Sequence, residues 1–222
     1  MNKGNHTLHA PVFPLPTVSL FPETTASFHI FEPRYIEMIK SVLEGDGLLA
    51  MGILKPGYEN EYYGNPELYP VGVLGQVQSY EKLENGNYNI VLEGLYRVGF
   101  GEIVKDNPYR VMELHELSEN DIDESFSDEH DDLMLRLNYL AEHSPDDHDF
   151  SPLLGSEESF VALVNLVART LPLKNDEHYK LLAMDLIRDR VNQILWYIDD
   201  QIETIELFKR VDPKISEDIT YN

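Results

Sequence analysis

The 222-residue chain contains no cysteine and one tryptophan, and its cations are few: 17 Lys and Arg stand against 40 Asp and Glu. Missing thiols exclude disulfide staples, thiolate nucleophiles and cysteine-ligated zinc, and they agree with a reducing cytoplasm, the expected compartment. The shortage of cations leaves a formal charge of −23. A surface of that sign repels phosphate backbones, whose binding depends on clustered Lys and Arg releasing counterions, and it disfavours anionic bilayers. Nucleic acid and membrane are therefore not expected partners. No apolar run reaches the length of a membrane span, and Met1–Ala10 lacks the apolar core of a secretory signal.

Catalytic signatures are missing too. No G-x-x-x-x-G-K-[ST] loop is present to cradle nucleotide phosphates, and no G-x-S-x-G elbow to present a serine. Gly45-Asp46-Gly47 runs into Leu48-Leu49-Ala50, so it reads as the stop after a helix rather than a dinucleotide fingerprint. The expectation is a protein that is not an enzyme and carries no cofactor. The enzymatic alternative is an unrecognised hydrolase using Asp, Glu and His.

What is there divides by composition. Residues 10–117 are β-rich, with expected strands at Ser27–Phe31, Leu48–Leu54, Val71–Tyr80, Tyr88–Gly94, Tyr96–Val104 and Tyr109–Leu117. Asn85-Gly86 suits a tight hairpin turn. A single helix interrupts them from Pro33 to Glu44, where proline's fixed φ suits the first turn; Tyr35, Ile36, Ile39, Val42 and Leu43 form its apolar stripe. Many short strands with one inserted helix point to a curled, closing barrel. Residues 118–210 hold an acidic linker and a small helical bundle, and 211–222 form a tail. In the bundle, a helix from Asp128 to Ala141 buries Leu133, Leu137 and Leu140. Ser156 reads as the N-cap of another that Pro172 ends, followed by one over Asp176–Ala183. A long last helix after Asp185 carries Ile187, Val191, Ile194, Ile198, Ile202, Ile205 and Phe208 at helical spacing. That stripe fits an intramolecular bundle or a dimer seam, so monomer and weak dimer both stay open.

Lys55–Pro70 gathers Tyr58, Tyr62, Tyr63 and Tyr69 among glycines and prolines, between two apolar strands. Tyrosine offers a large face and a hydroxyl at low entropic cost, which suits a binding loop. Packing of the same rings onto the barrel rim is the alternative. His29 sits among aromatic and aliphatic neighbours and reads as a hydrogen-bonded structural residue. Asp121-Ile122-Asp123 has calcium-loop spacing, but Phe126 stands where an EF-hand needs glycine. His130, His143 and His148 lack zinc spacing, so no metal site is assigned.

Three runs carry a resemblance: Phe13-Pro14-Leu15-Pro16, Leu20-Phe21-Pro22 and Phe28-His29-Ile30-Phe31-Glu32-Pro33-Arg34-Tyr35. With Leu92-Glu93-Gly94-Leu95-Tyr96-Arg97, Asn107-Pro108-Tyr109-Arg110-Val111 and Leu171-Pro172-Leu173, they resemble, in order, the substrate-recognition domain of Lon proteases. The resemblance implies an α+β fold: a PUA-like β-barrel with one inserted helix, followed by a small helical bundle. It also implies the recognition part of a protease without the catalytic modules, as a stand-alone member of the family. Partners would be unfolded or exposed peptide segments or another protein, with a proteolysis adaptor as the specific role. A structural or oligomeric scaffold acting through the last helix is the competing class. By the same resemblance His29, Phe31, Glu32, Pro33, Arg34, Tyr35, Gly94 and Arg97 form a structural motif.

Overall fold

The computed structural model describes residues 8–61, 64–119, 126–144, 149–155 and 159–211. Its contacts group into two units, Met1–Ser118 with Lys174–Ala183, and Glu119–Leu173 with Met184–Asn222. The sequence reading keeps 174–183 with the other helices; the contacts place this segment with the strands.

The first unit is built on six strands: β1 (Leu8–Leu15), β2 (Thr25–Ile30), β3 (Leu48–Ile53), β4 (Val71–Lys82), β5 (Tyr88–Lys105) and β6 (Val111–Glu116). They are ordered β2-β5-β4-β3-β1-β6, and β6 returns to pair with β5, which closes five of them into a barrel. Closure covers most of the edges of these five strands, the kind of edge that invites aggregation, while β2 stays at the end of the sheet. The β1–β3 pair is parallel and the other pairs are antiparallel. Ala10, Val12, Ala50, Leu74, Val98, Met112 and Leu114 fill the interior. Small residues occur where strands press together: a Cβ on Gly72 would strike the Met51 carbonyl oxygen and the Phe100 ring.

Two features depart from the expected strands. Residues 88–105 form one continuous strand, because its two halves serve different neighbours along one flank. Thr25–Ile30 pairs with 88–93, and β6 pairs with Val98–Lys105. The chain also enters the barrel as a strand at Leu8–Leu15 despite Pro11 and Pro14. Helix α1 (Pro33–Glu44) has the expected bounds and buries Tyr35, Met38, Ile39 and Val42. Helix α4 (Asn175–Ala183) completes this unit, so α2 and α3 come before it in the chain.

The second unit contains α2 (Ser127–His143), α3 (Phe160–Thr170) and α5 (Ile187–Val211). Leu133, Leu137 and Leu140 are buried as expected. The cap of α3 is Ser159, whose Oγ accepts from the Ala162 N–H at 3.1 Å, rather than Ser156, which lies outside the described residues. Ser159 abuts the apolar run directly, so it can satisfy a first-turn donor that water would otherwise hold. Arg190 is fully buried; its guanidinium donates to Asn165 Oδ1 at 2.6 Å and the Met184 carbonyl at 2.9 Å, and meets Glu119 at 3.3 Å. The Ile stripe of α5 is buried at Ile187, Val191, Ile194 and Ile198, but Leu207 and Phe208 near its end are exposed.

Candidate functional site: a groove at the barrel seam

Closing the barrel leaves one seam incomplete. Strand β6 pairs with Leu8–Pro11 of β1 and then stops, so Phe13–Leu15 keeps only its β3 neighbour. Strand β2 pairs with β5 on one side and, among the described residues, with no strand on the other. Between these two segments runs a groove of about 200 Å³, walled by Phe13–Pro16 on one side and Phe28–Glu32 on the other, with Tyr35 of α1 also on its lining.

Aromatic contacts give the groove its shape. Phe13 meets Phe28 edge-on at 5.9 Å between ring centroids and Tyr35 at 4.9 Å. Phe31 stands out from this cluster, 62% exposed, with the His29 ring stacked beside it at 5.9 Å. A phenyl ring exposed just beyond the end of β2 is costly to leave in water and available to a ligand. His29 is itself exposed, held between Asn89 Oδ1 at 2.8 Å and the Asn87 amide at 3.2 Å. Glu32 and Arg34 pair at 3.1 Å, and the Arg34 guanidinium lies over the Tyr35 ring. The far end of the β1 wall is pinned by α4: Asn175 donates to the Pro16 carbonyl and accepts from the Val18 N–H, both at 2.8 Å.

Next to the groove is a second cavity of about 210 Å³, which shares Pro14 and Tyr35 with it. Arg34, Asn65, Asp106, Asn107, Tyr109 and Arg110 contribute to its lining. Arg110 is 7% exposed; its Nη1 donates to the Pro66 carbonyl at 2.9 Å. Burial pulls its guanidinium below the ordinary arginine value, Tyr35 opposes that shift, and Arg34 adds to it.

Of the loop tyrosines, Tyr58 and Tyr69 lie among the described residues. Tyr69 is half-buried and stacked on Tyr179 of α4, with centroids 4.1 Å apart, while the Tyr179 hydroxyl accepts from the Val71 N–H at 3.3 Å. Tyr58 begins a short 3₁₀ turn, Tyr58–Glu61, and is half-buried. Tyr62 and Tyr63 lie outside the described residues. Gly94 and Arg97 act within the barrel. Gly94 pairs with the chain before β2 through Thr24 and Glu23, and the buried Arg97 donates to the Leu182 and Ser118 carbonyls, each at 3.2 Å. His130 and His143 pack against Phe160 and Tyr139. His148 and the Asp121–Ser125 loop are not among the described residues. No cluster of three metal-ligating side chains occurs among those described, nor does any helix long and apolar enough to cross a membrane.

Residues 9–200 match the family described as the ATP-dependent protease La (LON) substrate-binding domain. The chain belongs to that family. Its curated relatives include the Lon proteases of Flavobacterium johnsoniae, 22% identical over 99% of this chain, and of Desulfosudis oleivorans, 24% identical over 94%. The chain spans about a quarter of the length of those proteases, 27% and 26%. Two solved structures share the fold. A Lon N-terminal domain protein from Xanthomonas campestris is 23% identical with a TM-score of 0.63, over 85% of this chain and 97% of its own. The N-terminal domain of a Mycobacterium avium complex Lon protease is 13% identical with a TM-score of 0.65, over 87% of this chain and 99% of its own. The α+β family fold expected from the motifs is thus the fold of this chain.

Proposed function

We propose that this protein is a non-catalytic binding module that takes extended, apolar segments of other polypeptides into the groove between Phe13–Pro16 and Phe28–Glu32, and so acts as an adaptor for proteolysis. The family is the substrate-binding domain of a protease, and a protease's substrates are polypeptides. The observation that carries the reading is the flank of β2 opposite β5, which no strand among the described residues covers, beside the exposed Phe31 ring. An extended ligand adds main-chain hydrogen bonds along the strand edge, while alternate side chains enter the apolar groove. A folded protein offers neither, since its strands are paired and its apolar residues buried. Selection for unfolded segments follows from that difference.

Phe31 is exposed, so replacing it should not disturb the core. A labelled peptide of alternating valine and serine is expected to bind the wild-type chain, and Phe31→Asp to weaken binding about thirtyfold, the loss of an anchor of about 2 kcal/mol. Unchanged affinity in the variant, measured by fluorescence anisotropy, rejects the groove.

A second reading rests on a separate observation. Trp196, Leu207 and Phe208 are exposed on α5, at 59%, 52% and 65%. These side chains favour a scaffold role through that helix, and a concentration-dependent mass in sedimentation that falls on Phe208→Ser is its signature.

A further inference from the structure

Arg110 sits in an unusual electrical position. It is largely buried at the wall of a cavity, yet among the described residues no carboxylate pairs with it. Among the described acids, Glu32 meets Arg34 at 3.1 Å, Glu67 meets Lys55 at 2.9 Å, and Asp106 accepts from the Asn107 amide at 3.0 Å. A largely buried cation that makes no ion pair among the described residues is costly to keep, and this one lines a cavity of about 210 Å³, room enough for a ligand's carboxylate. The fork of a guanidinium, with one arm on the Pro66 carbonyl, has further N–H donors for a planar anion.

From this geometry we infer that the Arg110 cavity binds a carboxylate carried by the same polypeptide that fills the adjoining groove. The inference rests on the groove reading above. Pro14 and Tyr35 wall both spaces, so a ligand leaving the groove meets the cavity at once. A single charge suits the site better than phosphate. Arg34 is already neutralised by Glu32, and Asp106 on the lining repels a dianion, as does the chain's net charge of −23. Two sources present this chemistry: the α-carboxylate of a chain end and the side chain of Asp or Glu.

Three versions of the valine–serine peptide separate the possibilities: a free C-terminal acid, the C-terminal amide, and the amide with glutamate as its last residue. The free acid, the glutamate amide or both are expected to bind wild-type protein about tenfold tighter than the plain amide, a step of about 1.4 kcal/mol. Which of them gains identifies the source. In Arg110→Gln the advantage is expected to vanish. Should that variant fail to fold, the wild-type Arg110 Nε–H resonance is expected to move with the favoured peptide and stay still with the plain amide. Equal binding of all three peptides overturns the carboxylate site, and if Phe31→Asp abolishes that binding the groove stands without it. No binding of any peptide to the wild type overturns both.

Discussion

Single residues carry the seam. Gly94 lies where β5 changes neighbours from β2 to β6, and a Cβ there would collide with the Phe21 carbonyl oxygen, a backbone atom that cannot swing aside. Gly94→Ala is therefore expected to cost about 1–3 kcal/mol, the range for forced overpacking, read as a lower urea midpoint at unchanged slope. A midpoint equal to wild type contradicts the packing described. The motif that announces the family was also legible at this scale. Pro33 starts a helix, a Cβ on Gly94 would meet the Phe21 carbonyl oxygen, and Arg97 donates to two carbonyls. Phe31 was not separable from its neighbours, because a phenylalanine in Phe28-His29-Ile30-Phe31 reads as core until the register shows where the strand ends. Arg110 gave no signal either. Its burial follows from how residues 64–66 and 106–110 fold around it, and no local pattern encodes that.

At the scale of elements, the strands and helices were largely readable from alternation and helical spacing, but their partners were not. Tyr88–Gly94 and Tyr96–Val104 are expected as separate strands; pairing with both β2 and β6 along one flank keeps 88–105 continuous. Residues 174–183 are expected within the helical part at 118–210, whereas α4 groups with the strands. Tyr179 explains the outcome: stacked on Tyr69 and accepting from Val71, it ties α4 to the strands. That contact has a pH signature. Burial, the largest cause, raises the Tyr179 pKa above its ordinary value, with the Val71 N–H opposing and Tyr69 adding to the rise. The unfolded chain thus releases this proton first, from about pH 10. Its contribution is fully present below about pH 10 and is lost as pH rises from there through the folded value. Tyr179→Phe is expected to lower stability by about 1 kcal/mol at neutral pH, since Val71 loses its acceptor, and to flatten the alkaline limb. Tyr96, raised first by burial and then by Glu116, keeps part of that slope. An alkaline limb as steep as wild type in chemical denaturation at pH 9–11 contradicts the assignment.

At the scale of the whole molecule, net charge limits what the barrel can bind. Aromatic faces at the groove can stack bases at roughly 1–3 kcal/mol each, but phosphate neutralisation supplies most non-specific affinity, and 17 cations against 40 acids cannot supply it. No RNA or DNA binding is expected in filter-binding titrations at physiological salt; micromolar binding that weakens steeply with salt contradicts this. The central claim is that an extended polypeptide adds to the flank of β2 opposite β5. Amide hydrogen exchange with and without the valine–serine peptide tests it most directly, because backbone pairing slows the amides involved. The account predicts new protection at Thr25–Ile30 and Phe13–Leu15. Protection confined to Lys55–Pro70 or to α5, with both of those segments unchanged, would contradict it.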